Sequence, residues 1–152
     1  MTAVDSSASA LEAAQRNAAL NGVTLETLKG QAVDVLKQLR DAGRKFDVVI
    51  VDPPALIKRK KDMDAGAEHY ALLNRLAMQL LEADGMLVSC SCSHHMSEEH
   101  LQRLLLRESR NHGRSLQILE RGGQGPDHPV HPAIPETLYL KAFFCRVLDA
   151  GA

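Results

Sequence analysis

Three short stretches carry side chains able to do chemistry. They are Asp5, closing the run Thr2-Ala3-Val4-Asp5; Asp52-Pro53-Pro54, which halts an apolar run; and Cys90-Ser91-Cys92-Ser93. Asp34 is a fourth candidate, shortly after another strand-like segment. A carboxylate ending a strand of a nucleotide-binding fold can accept both ribose hydroxyls, and Asp is equally a good helix N-cap, so both readings of Asp5 stand. Two prolines behind a strand fix a rigid turn and hold the preceding residue extended, which presents Asp52 and the local carbonyls outward. A thiol at a strand end becomes a nucleophile when its pKa falls below its ordinary value of about 8.5, and otherwise serves as a small buried hydrophobe. Alternation along a strand is expected to turn only one of Cys90 and Cys92 toward a site. Cys145 stands in an apolar segment and reads as core. A metal set of Cys90, Cys92, His94 and His95 fits no common zinc spacing, and no metal is expected. The run Lys58-Arg59-Lys60-Lys61 usually means a solvated loop; beside a nucleotide-sized cleft it would hold phosphates.

The elements that must position these groups alternate in type. Thr2 to Asp5 reads as a short strand. Ser6, Ser7 and Ser9 offer N-caps, Ser9 and Glu12 have capping-box spacing, and a helix over 10–20 ends at Asn21-Gly22. A weak strand over 25–28 precedes a helix carrying Val33, Leu36 and Leu39 and stopped by Gly43. Phe46 to Val51 is an unbroken apolar run, expected to be a central parallel strand buried on both faces. After a Gly/Asp-rich loop, Tyr70, Leu73, Leu76, Ala77 and Leu80 trace a helical face closed by Asp84-Gly85. A strand then starts at Met86 and runs into the cysteines. Ser97 caps a helix with Leu101, Leu104 and Leu105. Leu116 to Leu119 is a strand, and residues 121–137, with three Gly and four Pro, are loop. Tyr139 to Leu148 is a last strand, expected antiparallel because no crossover helix precedes it. Strand and helix in alternation imply a doubly wound α/β sheet, with ligands beyond the carboxyl ends of its strands.

Composition narrows the function classes. The 152 residues are enough for one domain with its own core, 45% are apolar, and 24% are charged. The net charge is −1, from 18 basic and 19 acidic side chains, so no global field marks nucleic acid. Aromatics make up 3%, with no Trp, which argues against a stacking platform for single strands. Three Cys without a framework spacing read as free thiols in a reducing compartment. No segment approaches a membrane span, the first seven residues lack the pattern of a signal peptide, and a cytoplasmic protein is expected.

Taken in order, Val4-Asp5-Ser6-Ser7 with Asn17 to Gly22, Phe46-Asp47 through Val51-Asp52-Pro53-Pro54, Ser91-Cys92-Ser93, Asp127-His128-Pro129-Val130, Pro135-Glu136-Thr137 and Tyr139-Leu140-Lys141 form a specific series. In these the chain resembles the bacterial large-subunit ribosomal RNA cytosine carbon-5 methyltransferases, in their catalytic domain. The resemblance implies a Rossmann-like class I methyltransferase sheet, helices on both faces and an antiparallel last strand. It implies S-adenosyl-L-methionine as cofactor, with Asp5 at its ribose, Asp34 at its adenine, and Ser6, Asp52 and Pro53 also binding it. It implies ribosomal RNA as substrate. Asp52 would contact the target cytosine, Pro53 and Pro54 would shape its pocket, Lys58 and Arg59 would meet the RNA, and Cys92 would be the nucleophile. Both cysteines have serine neighbours, and the spacing to Met96 and Ser97 favours Cys92 over Cys90.

Two alternatives accompany this reading. An amino-group N-methyltransferase uses a similar Asp-Pro-Pro turn, normally followed by an aromatic, where this chain has Ala55. A non-catalytic remnant or binding module is the other, because the family's domain opens with a strand and a glycine-rich loop, whereas four residues and no Gly precede Asp5. The expectation is a single, N-terminally truncated methyltransferase domain over 1–152. Its Asp5 strand and Phe46–Val51 strand would lack their shared neighbour, so the chain is expected to rearrange or to pair with another copy through those edges.

Overall fold

The structure is a computed structural model and describes residues 1–149. Its elements, in chain order, are β1 (Thr2–Asp5), α1 (Ala8–Leu20), β2 (Glu26–Lys29), α2 (Ala32–Asp41), β3 (Phe46–Val51), a 3-10 turn (Lys60–Asp62), α3 (Met63–Leu80), β4 (Leu81–Ser91), α4 (Glu98–Asn111), β5 (Arg114–Gly122), a second 3-10 turn (Pro135–Thr137) and β6 (Lys141–Asp149). They form two units, Met1–Arg44 and Lys45 onward.

In the first unit β1 and β2 pair in parallel, from Thr2 opposite Glu26 to Asp5 opposite Lys29. Helix α1 lies against both strands and buries Leu11; α2 buries Val35 and Leu39, four apart on one face. Gly22 and Gly43 end these helices at φ of 66° and 69°, a backbone region that a Cβ disfavours. The start of α1 differs from the expectation. Ser7 is the N-cap: its Oγ accepts the Ala10 N–H at 3.3 Å, while Asp5 Oδ1 accepts the Ser7 N–H at 2.7 Å. Ser9 therefore falls inside the first turn, its hydroxyl 3.0 Å from that of Ser7, and does not open a capping box with Glu12.

The second unit is built on a sheet of order β3-β4-β6-β5. β3 and β4 are parallel, and β6 is antiparallel to both β4 and β5, as a last strand without a crossover helix should be. Helix α3 packs on β3 and β4, and α4 packs on β5 and on α3, so the two cover one face. That face takes Leu87, Ser89 and Ser91 of β4 and Phe143, Cys145 and Val147 of β6, all buried. The opposite face holds a smaller cluster of Val88, Cys90 and Ala142, with Leu140 and Phe144 packed against it.

β3 is not the central, doubly buried strand that its composition suggests. Among the described residues it pairs with β4 alone, at the edge of the sheet, and Val48 and Ile50 are 51% and 66% exposed. Helix α3 covers one side of the strand, where Val51 is buried; side chains that alternate to the other side meet no covering helix of the second unit. Among the described residues β1 likewise pairs only with β2. None of the described helices is long and apolar enough to cross a membrane.

Helix α3 also begins earlier than its apolar face indicates, at Met63, and so takes in Gly66. A Cβ at Gly66 would lie 2.4 Å from Ile57 Cγ1 and 2.9 Å from the Leu56 carbonyl oxygen. The glycine marks the place where α3 touches the segment that follows the proline turn. Gly66→Ala should therefore cost about 1–3 kcal/mol by overpacking, despite the better helix propensity of Ala. Urea unfolding checks this, and an unchanged or raised midpoint would contradict the close approach.

Candidate functional site

Because β3 and β4 run parallel as neighbours, their carboxyl ends lie side by side. Asp52 follows the end of β3 and is exposed; Cys92 stands one residue past the end of β4 and is half-buried. The two segments meet where the Cys92 thiol approaches the Pro53 carbonyl oxygen, at 3.9 Å. Pro53 is half-buried, and Pro54 is exposed beyond it.

Buried hydroxyls hold this junction. Ser91 Oγ donates to the Tyr70 hydroxyl at 2.9 Å, and Tyr70 shares a 3.0 Å hydrogen bond with Ser93 Oγ. Ser93 Oγ accepts the Ile57 N–H at 3.0 Å, and the Ser93 N–H donates to Ser91 Oγ at 3.3 Å. All three side chains are fully buried. Out of water each polar group needs an internal partner, so helix α3, the end of β4 and the segment after the proline turn are tied together. The serines on either side of Cys92 both turn to Tyr70, and Cys92 between them turns toward Pro53.

All three cysteines are free, and their surroundings differ. Burial, then the charge of Asp52, then Cys92, push the Cys90 thiol up to about 11. Burial alone pushes Cys145 to about 12. Strand alternation does not separate Cys90 from Cys92, because positions two apart share a face; depth separates them, Cys90 lying inside β4 and Cys92 beyond its end. Each raised thiol keeps a proton that the unfolded chain releases near pH 8.5. Stability is therefore unaffected by these groups at neutral pH and falls as pH rises from about 8.5 toward their folded values.

Lys141 opens β6 opposite Ser91, and its Nζ donates to the Ser93 carbonyl oxygen at 2.7 Å. It borders a cavity of about 320 Å³ shared with His94, Met96, Arg121 and Leu140. Neither Lys141 nor Tyr70 was assigned a site role from sequence. The available signals were a lysine at the head of an apolar strand and two serines spaced around a cysteine.

The other candidates spread over both units. In the first, Asp5 is exposed at the carboxyl end of β1; Oδ1 takes the Ser7 N–H, and Oδ2 accepts no hydrogen bond from the described residues. Its helix-start role is thus real and leaves one oxygen open. Ser6 is exposed beside it, and Asp34 is exposed in the first turn of α2. In the second, Lys58 and Arg59 are exposed, and Arg59 Nε is engaged with Asp62 Oδ2 at 3.0 Å. Among the described residues no group of three or more His, Cys, Asp or Glu is arranged to hold a metal ion.

Under native conditions at pH 8, a thiol reagent should label Cys92 first, with the buried Cys90 and Cys145 at least about tenfold slower. Peptide mass spectrometry reads the sites. Equal labelling of Cys90 would overturn the contrast drawn above.

Comparison with known proteins follows the same outline. Residues 1–114 match the family described as "Methyltransferase small domain". The chain is 38% identical over 151 residues to the ribosomal RNA large subunit methyltransferase I of Klebsiella pneumoniae, covering 97% of this chain and 38% of that protein. It is 40% identical over 148 residues to the protein of the same name from Erwinia tasmaniensis, covering 95% and 37%. The chain thus spans less than two fifths of the length of these relatives. Among solved structures, a protein from Streptococcus mutans described as a SAM-dependent methyltransferase aligns with a TM-score of 0.79 at 16% identity, covering 95% of this chain and 38% of that one. NSun6 from Pyrococcus horikoshii, solved with SFG, aligns with a TM-score of 0.67 at 20% identity, covering 99% and 41%. These two likenesses show the fold, a Rossmann-like α/β arrangement.

Proposed function

The chain belongs to the methyltransferase small domain family, and on that premise we propose that it is the catalytic part of an S-adenosyl-L-methionine-dependent methyltransferase acting on carbon-5 of a cytosine in large-subunit ribosomal RNA. The observation that carries the reading is the meeting of Cys92 with the Asp52-Pro53-Pro54 turn, in a chain whose other two thiols are buried. Support for the RNA comes from the names of the relatives. A substrate of that kind supports a cytoplasmic location.

The residues fit the nucleoside end of the cofactor. The open Oδ2 of Asp5 suits a ribose hydroxyl, with Ser6 beside it, and the exposed Asp34 carboxylate suits the adenine amino group. When bound, S-adenosyl-L-methionine supplies a methyl group on a sulfonium. Carbon-5 of cytosine is too weak a nucleophile to take it unaided. The Cys92 thiolate adds to carbon-6 of the ring, which moves electron density to carbon-5. Once carbon-5 is methylated, its proton goes to a base, the carbon-6–sulfur bond breaks, and the thiolate is regenerated. Asp52, at the ring N3 and amino group, stabilises charge on the ring during addition. Pro53 and Pro54 hold that carboxylate in place, and Lys58 and Arg59 meet the phosphates. Ala55, in the place of a stacking aromatic, disfavours amino-group methylation.

The test is methyl transfer from labelled cofactor to protein-free large-subunit ribosomal RNA, with the product base identified by mass spectrometry. 5-Methylcytosine is expected, and Cys92→Ala should lower its rate by at least about 10³-fold. RNA containing 5-fluorocytidine should remain attached to Cys92 through denaturation, because carbon-5 then has no proton to lose. Transfer to a nitrogen, or transfer indifferent to Cys92→Ala, sinks the assignment.

A further inference from the structure

The cavity of about 320 Å³ that Lys141 borders has no role in the reaction proposed above. It lies where β4 and β5 end and β6 begins: His94 and Met96 follow β4, Arg121 stands near the end of β5, and Leu138, Leu140 and Lys141 lead into β6. In the strand order β3-β4-β6-β5 the proline turn lies on one side of the end of β4, and the cavity lies on the other. Cys92 stands just past that end, and two residues of chain set its Cα at most about 7 Å from that of His94. The Ser93 carbonyl oxygen between them accepts a hydrogen bond from Lys141 Nζ at 2.7 Å.

The lining suits a flat group that carries a negative charge. Arg121 lies opposite Phe143, and Lys141 is two positions from Phe143, so both cations emerge on the α4 face of the sheet. Arg121 is held by Glu98 and Gln102. Lys141 is half-buried and makes no ion pair with a carboxylate among the described residues, and two of its three donor hydrogens remain beyond the bond to Ser93. Burial pulls its pKa down, and an anion in the cavity would offset that desolvation. The rest of the lining offers surface to a base. Leu138 is 61% exposed, and the exposed His94 ring is braced edge-to-face by His95, centroids 5.3 Å apart. Gln124 fixes the Leu138 wall from both sides: its amide nitrogen donates to the Thr137 carbonyl oxygen, and its amide oxygen accepts the Leu140 N–H at 3.4 Å. A volume at the lower end for ligand pockets admits one nucleotide-sized group. We propose that this cavity is a subsite for a nucleotide that flanks the target cytosine, with its phosphate on Lys141 and its base against His94 and Leu138. The proposal rests on the reading of the chain as an RNA methyltransferase and adds a second nucleotide to it.

The experiment measures binding of the full chain to a fluorescein-labelled single-stranded RNA with one central cytidine, by anisotropy, over a range of salt and without cofactor. Lys141→Gln keeps a donor for the Ser93 carbonyl and removes the charge. It should weaken binding about tenfold at low salt and reduce the slope of log affinity against log salt by about 0.7, the loss of one phosphate contact on a single strand. Lys141→Arg should restore most of both. Leu138→Ala, at an exposed position, should weaken binding about fivefold with the slope unchanged. An RNA abasic at one of the two neighbours of the cytidine should show the same loss with wild type, and Leu138→Ala should then cost nothing more. Absence of binding by wild type overturns the proposal, as does a Lys141→Gln slope equal to wild type, or a Leu138→Ala loss that is the same on intact and on both abasic RNAs. Because no methyl transfer is measured, a negative result here is separable from failure of the proposed reaction.

Discussion

Four polar groups buried together govern the junction of β3 and β4: the Ser91 and Ser93 hydroxyls, the Tyr70 hydroxyl and the Ile57 N–H. None reaches water, so each is satisfied only when helix α3, the end of β4 and the segment behind the proline turn occupy their places at once. The close fit of Gly66 against Ile57 and Leu56 serves the same contact from the helix side. What remains for Cys92 is the gap between two committed serines, facing the Pro53 carbonyl.

The same geometry separates the chemistry of two cysteines that look alike in sequence. Cys90 lies within the sheet, against Val88 and Ala142, where desolvation disfavours a thiolate. Cys92 lies past the last ladder position, half-open, with an ammonium hydrogen-bonded one residue away. Two residues of chain length thus carry a thiol from a packing role to a half-open place at the proline turn.

Much of the fold was legible from local rules. The alternation of strands and helices, the glycine stops at Gly22 and Gly43, and the antiparallel last strand follow from backbone conformation and from the length of connections, which neighbours in sequence determine. The departures arise where distant residues decide. β3 has the composition of a central strand and lies at an edge, because composition does not say which faces will be covered. Helix α3 runs back through a glycine that reads as loop, because the glycine is there for Ile57 and Leu56. Ser7 caps α1 instead of Ser9 because Asp5 takes the Ser7 N–H and sets the turn one residue pair earlier.

By itself the sequence determined the order of elements, the three acids and the thiols at or near strand ends, and the family series that orders them. Those are properties of residue type and spacing, which act over a few residues. Only the tertiary structure decided which cysteine is accessible, that Tyr70 joins the two serines, and that Lys141 reaches the Ser93 carbonyl across 48 positions of chain. Burial and charge proximity depend on what folds over a group, and that is set by partners far away in the chain.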